Sequence, residues 1–174
     1  VLKITREDTL DDIEKCLMDM KAAGMNTAVI WPAIYWWEEK REGFPFNTGK
    51  QILELASKHN MRIIMELAGQ LSLMEYTPDF RMKEEYLPVD INGNINYAQA
   101  SFGYLNYFHP EVEALIANYL KNVANAYKDS PALYAYDIFN ETLAGSYDAY
   151  TMEYFRIWLR EKYKTIEHLN QVWE

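Results

Sequence analysis

Short runs of nearly continuous apolar residues alternate along the chain with segments whose apolar positions recur every three or four residues. Thr9 to Ala23 sets Leu10, Ile13, Leu17 and Met20 on one face, with Cys16 beside them, which is the spacing of an amphipathic helix. Thr9 with Asp12 three residues on has the form of a capping box, and Gly24 stands where a left-handed C-terminal cap is wanted. Asn26-Thr-Ala-Val-Ile-Trp31 is short, β-branched and stopped by Pro32, so it reads as a buried strand. A second helix is expected from an Asn47 N-cap with Phe46 as a staple, Ile52, Leu55 and Ala56 inward and Asn60 as its stop. Met61 to Ala68 then repeats the buried-strand pattern, and Gly69 ends it.

From Gly69 to His109 there is no sustained periodicity, and Pro78, Pro88, Asn92-Gly93-Asn94 and Gly103 supply turn and breaker signals. A connection that long within a domain usually carries function. Pro110 opens a third helix with Val112, Leu115, Ile116, Tyr119, Val123 and Tyr127 on its inner side, closed by Asp129-Ser130-Pro131. His109 reads as a residue of that helix's N-terminus. Ala132 to Phe139 is a third strand. A fourth helix is expected over roughly Tyr147 to Tyr163 with Met152, Phe155, Trp158 and Leu159 inward, and a short one from Thr165 with Ile166, Leu169 and Val172.

Apolar strands that alternate with helices of ten or more residues indicate a parallel sheet with covered faces. A doubly wound sheet and an eightfold βα barrel both fit. No Gly-rich turn joins a strand to its helix, as Trp31-Pro32-Ala33, Ala68-Gly69-Gln70 and Asn140-Glu141-Thr142 show, so the phosphate loop of a nucleotide-binding sheet is missing. Polar and aromatic residues gather instead at the C-terminal strand ends, where a barrel presents its chemistry. The expectation is an α/β fold, a partial (β/α)8 TIM barrel holding approximately strands two to four with their helices.

Length and charge narrow the partners. The 174 residues carry 17 Lys+Arg against 26 Asp+Glu, a net charge of -9, which argues against a phosphate backbone as ligand; nucleic acid is not an expected partner. No apolar run is long enough to span a membrane. A single cysteine excludes an internal disulfide. The chain opens Val-Leu-Lys-Ile, with no targeting segment in view, and the compartment stays open. No His/Cys/Asp spacing suggests a metal, and no cofactor is expected.

The sharpest constellation is Asp137-Ile-Phe-Asn-Glu141, which leaves a strand so that Asn140 and Glu141 fall at its C-terminal end. Glycosidic hydrolysis needs a carboxylic acid to protonate the leaving oxygen, and a neighbouring amide can bond the sugar hydroxyl beside the reacting carbon. Read alone, the dipeptide also fits a helix cap. Glu66, near the end of the Met61 to Ala68 strand, fits a mouth position for substrate or a partner for a cation. Asp137 fits an anchor for a neighbouring group. The 14 Tyr, 5 Trp and 7 Phe include Trp31, Tyr35, Trp36 and Trp37 after the first of these strands, and Tyr97, Phe102, Tyr104 and Tyr107 in the long connection. Trp31, Tyr35, Trp36 and Tyr104 are the candidate sugar platforms; ordinary half-buried packing is the alternative for each.

Three runs carry a resemblance: Ala135 to Glu141, Phe155-Arg-Ile-Trp-Leu-Arg-Glu-Lys-Tyr163, and Thr165-Ile-Glu-His-Leu-Asn-Gln-Val-Trp173. Together with Met20-Lys-Ala-Ala-Gly-Met-Asn26, Trp36 to Gly43 and His109-Pro110, they resemble the fourth-strand region of family 42 glycoside hydrolases, retaining β-galactosidases built on a βα barrel. The resemblance implies a carbohydrate substrate, with Glu141 as the acid/base and Asn140 as its sugar-binding partner. It also implies that residues 1–174 are the N-terminal half of the barrel domain, a fragment that lacks the seventh-strand nucleophile, is inactive alone and can self-associate through open barrel edges. Thr27-Ala-Val-Ile30 stands where the clan usually carries an arginine, and Cys16 lies on the first helix rather than in a metal site. A non-catalytic carbohydrate-binding barrel relative is the alternative function, and a barrel of unrelated chemistry a third.

Overall fold

The computed structural model describes residues 2–3, 8–31, 47–67, 83–96, 105–138 and 145–174. Its elements run β1 (Leu2–Lys3), α1 (Leu10–Ala22), β2 (Thr27–Trp31), α2 (Asn47–Lys58), β3 (Arg62–Glu66), a 3-10 turn at Glu84–Tyr86, α3 (Pro110–Tyr127), β4 (Leu133–Asp137), α4 (Ala149–Tyr163) and α5 (Ile166–Trp173). The four strands form one parallel sheet in the order β1-β2-β3-β4. Strands β2, β3 and β4 are the three that the apolar runs predict. β1 is an addition, too short for any hydrophobic pattern to reveal; it joins the sheet by pairing Leu2 with Ile30 and Lys3 with Trp31.

The same device closes α1 and α2 and feeds each into its strand. At the start of α1 the Thr9 hydroxyl accepts from the Asp12 N–H at 3.2 Å while the Thr9 N–H donates to the Asp12 carboxylate at 2.9 Å, a capping box that satisfies two donors the helix itself cannot. At its end Gly24 adopts φ +84°, the Gly24 N–H donates to the Lys21 carbonyl and the Met25 N–H reaches back to Met20. In α2 the Asn60 backbone takes φ +52°, with Asn60 donating to Ser57 and Met61 to Ala56. Both are Schellman closures, with Gly and Asn in the left-handed position that other residues pay to enter. Lys21 ties the two ends together by donating its ammonium to the Asn60 carbonyl at 3.1 Å.

One face of the sheet holds the core. Ala28 pairs with Ile63 and Ile30 with Met65, and all four are buried against Ile13 and Leu17 of α1, Ile52, Leu53 and Ala56 of α2, and Tyr119, Val123 and Tyr127 of α3. Burying each of the larger aliphatic side chains stabilises by roughly 1.5 to 3 kcal/mol. Strand residues alternate between faces, so Val29, Ile64 and Ala135, aligned across β2, β3 and β4, look the other way and are only half-buried. That is the face a closed barrel fills with its own interior. The β3/β4 register slips between Ile63 and Ile64, leaving Tyr134 exposed with the Arg62 guanidinium 5.1 Å from its ring centre. On the covered face the Tyr136 hydroxyl has no hydrogen-bond partner among the described residues, and burial pushes its pKa up.

The fourth helix departs from expectation. It starts at Ala149 rather than Tyr147, with Asp148 as N-cap, and Phe155 and Trp158 are exposed at 41% and 45% instead of facing inward. Among the described residues α4 packs chiefly on α5, and Phe155 and Trp158 take no part in the core cluster on the sheet. The two rings stack on each other at 5.9 Å, and the Lys162 ammonium sits 4.5 Å from the Trp158 ring centre.

Gly24→Ala is expected to lose about 1 kcal/mol from backbone strain alone, because nothing lies within 4 Å of the added Cβ. Asn60→Gly should cost nothing, and Asn60→Ala about as much as Gly24→Ala. Urea denaturation reads all three; an unchanged Gly24→Ala would contradict the left-handed closure.

Candidate active site

Because all four strands are parallel, their C-terminal ends meet along one edge of the sheet. Lys3, Trp31, Glu66 and Asp137 are the last residues of the four. The β3/β4 pairing sets Glu66 directly beside Asp137, and alternation turns both toward the face opposite α1, α2 and α3. Glu66 is buried, with 1% of its surface accessible, and it is engaged by a partner, as a buried carboxylate must be. Pairing continues one step past the strands, with the Leu67 N–H donating to the Asp137 carbonyl at 2.7 Å. The backbone beyond Asp137 is thereby aimed out of the sheet edge.

Of the residues singled out in the sequence, Trp31 ends β2 and Glu66 ends β3 on this edge. Asn140, Glu141, Tyr35, Trp36 and Tyr104 lie outside the described residues, as do Trp37, Tyr97 and Phe102. The two strand ends that lead to Trp36 and to Glu141 therefore open on the same side.

The connection before α3 is built as a support. Asn106 donates its N–H to the Tyr86 carbonyl at 2.6 Å, and Asn96 donates to Pro88 at 2.8 Å. A bridge pairs Val89 with Ile95 around a turn in which Asp90 accepts from the N–H groups of Asn92 and Asn94 and Gly93 takes φ +82°. Tyr86, Leu105 and Val112 form a small buried cluster of their own. The Tyr86 hydroxyl donates to Glu111, and Lys83 lies 3.2 Å from the same carboxylate, which holds Glu111 below the usual carboxylate range, the Tyr86 bond being the larger cause. His109 caps α3 as expected: its Nδ1 accepts from the Glu111 N–H at 3.2 Å. The ring is buried edge-on between Tyr86 and Tyr150, centroids 5.1 and 4.9 Å away.

The segment that re-enters α4 is bound to this support. The Val89 N–H donates to the Ser146 hydroxyl at 3.0 Å, and the Tyr147 N–H donates back to the Val89 carbonyl at 3.0 Å. Asp148 accepts from the N–H groups of Tyr150 and Thr151 at 2.8 and 3.2 Å and from the Thr151 hydroxyl at 2.5 Å. Desolvation raises the Asp148 pKa, but the bonds from Thr151, Ser146 and the backbone outweigh it and hold the carboxyl below its usual value. The Thr151 oxygen is also 3.1 Å from the Asn106 Oδ1; its one proton serves the charged carboxylate first. Asp148, followed by helix formers, carries a readable N-cap signal, whereas nothing in the sequence marks Ser146 or Asn106. An aromatic groove of about 610 Å3 opens beside this segment, lined by Phe108, Tyr147, Met152, Tyr154, Phe155 and Trp158. Among the described residues no cluster of His, Cys, Asp and Glu could hold a metal ion, and no helix is long and apolar enough to cross a membrane.

Comparison with known proteins agrees with this architecture. The sequence model of glycoside hydrolase family 42, described as β-galactosidase, matches residues 5–174. The β-galactosidase bgaB of Geobacillus kaustophilus is 28% identical over 165 residues, spanning 88% of this chain and 23% of its own length. The β-galactosidase LacZ of Heyndrickxia coagulans is 27% identical over 163 residues, with the same coverage. The chain thus spans about a quarter of the length of such relatives. In fold it is similar to the crystal structure of β-galactosidase from Bacillus circulans sp. alkalophilus, with a TM-score of 0.77 at 21% identity, covering 99% of this chain and 25% of that one. A β-galactosidase from the haloarchaeon Halorubrum lacusprofundi gives 0.76 at 19%, covering 99% and 26%.

Asp148→Ala is expected to cost about 1 kcal/mol at neutral pH, the usual worth of an N-cap. A depressed carboxyl contributes stability that is full above its unfolded value and is lost as pH falls through the folded one. The gap between the variant and the parent should therefore close below pH 3.8, the ordinary aspartate value. Urea denaturation at neutral and acid pH measures it; a gap that stayed constant into acid would show that Asp148 is not capping as a carboxylate.

Proposed function

The chain belongs to glycoside hydrolase family 42, and from that premise we propose that it is the N-terminal half of a retaining β-galactosidase barrel, acting on a β-galactoside through Glu141. Glu141 is the general acid that protonates the leaving oxygen and then, as a base, activates the water that releases the sugar. Asn140 bonds the hydroxyl beside the reacting carbon. Glu66, Trp31, Tyr35, Trp36 and Tyr104 line the sugar pocket around them. The nucleophile, a second carboxylate about 5 to 5.5 Å from the first in a retaining site, comes from a later strand.

The observation that supports this reading best is the family match over residues 5–174 joined to a parallel sheet whose β4 ends at Asp137, three positions before Asn140 in the sequence, on the edge where β2 ends at Trp31 and β3 at Glu66. Parallel strands deliver their following residues to one mouth. A hydrolase needs that convergence because its acid and its sugar contacts come from different strands.

In the full-length enzyme Glu141→Gln should lower turnover of unactivated β-galactosides by about 100-fold or more, the worth of one acid/base group. kcat/KM for dinitrophenyl galactosides, whose leaving group needs no proton, should fall far less. Equal activity of the variant on both substrate classes would remove Glu141 from the acid role and favour a carbohydrate-binding relative without catalysis. The 174-residue chain alone is expected to be inactive for want of a nucleophile, and to associate through its outer strands, β1 and β4. Light scattering showing a monodisperse monomer at high concentration would count against that association.

A further inference from the structure

We infer that the apolar stripe of α4 is a docking face for one further strand of the same polypeptide, which pairs in parallel with the open edge of β4. The inference rests on reading this chain as the N-terminal half of a barrel and on no catalytic role. Three times along the chain a helix is followed by a strand that joins the sheet beside the strand before it, which gives the order β1-β2-β3-β4. Each of those helices sends its stripe into the core on the sheet, with Leu17 from α1, Ile52 from α2 and Tyr119 from α3. α4 follows β4 in the same way but departs from the rule. Met152, Phe155 and Trp158 recur every third residue along one side of it, and Phe155 and Trp158 stay outside that core.

β4 shows the matching deficit. Its Leu133 and Tyr136 are aligned with Ile63 and Met65 on the helix-covered face, yet they are only half-buried while Ile63 and Met65 are fully buried. Among the described residues β4 pairs on one side alone, with β3. The half-covered strand and the helix that follows it lack the same neighbour, one that pairs with the first and covers the second. Backbone N–H and C=O groups of another strand satisfy an open edge, and a helical crossover returns the chain to a parallel strand of the same sheet. Relatives have the length to supply that strand, since this chain spans about a quarter of them. The groove that the stripe lines with Phe108 and Tyr147, about 610 Å3 in volume, has no charged side chain among its described lining residues, so it suits apolar side chains. A sugar ring fits it less well, because Phe155 and Trp158 already stack on each other and Lys162 lies over the Trp158 ring.

The test is hydroxyl-radical labelling of the full-length protein, read residue by residue in a mass spectrometer and normalised to the reactivity of each side chain. Phe155 and Trp158 should be protected, while Ile157, 42% exposed on another side of α4, should be labelled. In the same protein Phe155→Asp and Trp158→Asp should each lower Tm by about 5 to 10 °C, and Ile157→Asp by no more than about 2 °C. If the first two variants do not fold, labelling of the unsubstituted protein decides. Phe155 and Trp158 labelled as fully as Ile157 would overturn the inference. Protection lost when an oligomer is diluted to monomers would assign the face to a second copy, and protection gained only with added galacto-oligosaccharide would assign it to sugar; either overturns it. Labelling needs no turnover, so an open stripe in an enzyme whose Glu141→Gln variant behaves as proposed overturns this inference alone. Limited proteolysis that releases residues 1–174 as an intact separate domain would remove the half-barrel reading and this inference together.

Discussion

Everything that positions the site depends on parallel pairing between strands that are covered by helices on one face. Helices can bury their apolar stripes only where the sheet offers Ala28, Ile30, Ile63 and Met65, and the return of the chain through each helix makes every strand start at the same edge. Chemistry is then forced to the opposite edge. The register that seats Ile30 beside Met65 also seats Glu66 beside Asp137, because a slip of one residue would turn each strand's apolar set away from the helices. Core packing and the alignment of the strand ends at Trp31, Glu66 and Asp137 are therefore one constraint seen from two ends.

A second layer rests on that frame. The connection between β3 and α3 is tied to α3 through Tyr86 and Glu111, to its own turn through Asp90, and to the entrance of α4 through Val89. His109 joins these, capping α3 while its ring is gripped by Tyr86 and Tyr150. Several of these bonds involve a backbone group, so the side chains that the scaffold needs are few, among them Tyr86, Asp90, His109, Glu111, Ser146 and Asp148. The aromatic groove beside Ser146 is lined in large part by α4, whose stacked Phe155 and Trp158 stay outside the core cluster on the sheet.

Elements set by local chemistry were legible from the residues. Thr9 with Asp12, Gly24 and Asn60 mark helix ends by hydrogen bonding and by tolerance of left-handed backbone, and His109-Pro110 marks a helix start; each needs knowledge of only a few neighbours. Strands β2, β3 and β4 were legible because each is a nearly continuous apolar run. β1 was not, since two residues carry no period. The inward stripe read for α4 failed for a different reason: periodicity tells that a helix has an apolar side, while what lies against that side is decided by the rest of the fold. Ser146 and Asn106 were invisible because a buried Ser or Asn acquires meaning only from partners distant in the chain, at Val89 and Thr151. Asn140 and Glu141 were picked out by chemistry and by family resemblance, and the register of β4 against β3 supplies the physical reason that this dipeptide follows a strand end shared with Glu66.

The central claim is that β4 delivers Asn140 and Glu141 to the same mouth as Glu66 and the end of β2. A crystal structure of the full-length enzyme with galactose bound tests it most directly. The account predicts the sugar over the C-terminal edge of β2, β3 and β4, the Asn140 amide on the hydroxyl beside the anomeric carbon, and the Glu141 carboxyl within hydrogen-bond reach of the anomeric oxygen. Galactose bound elsewhere, or Glu141 turned toward the helix-covered face with Ile30 and Met65, would contradict it.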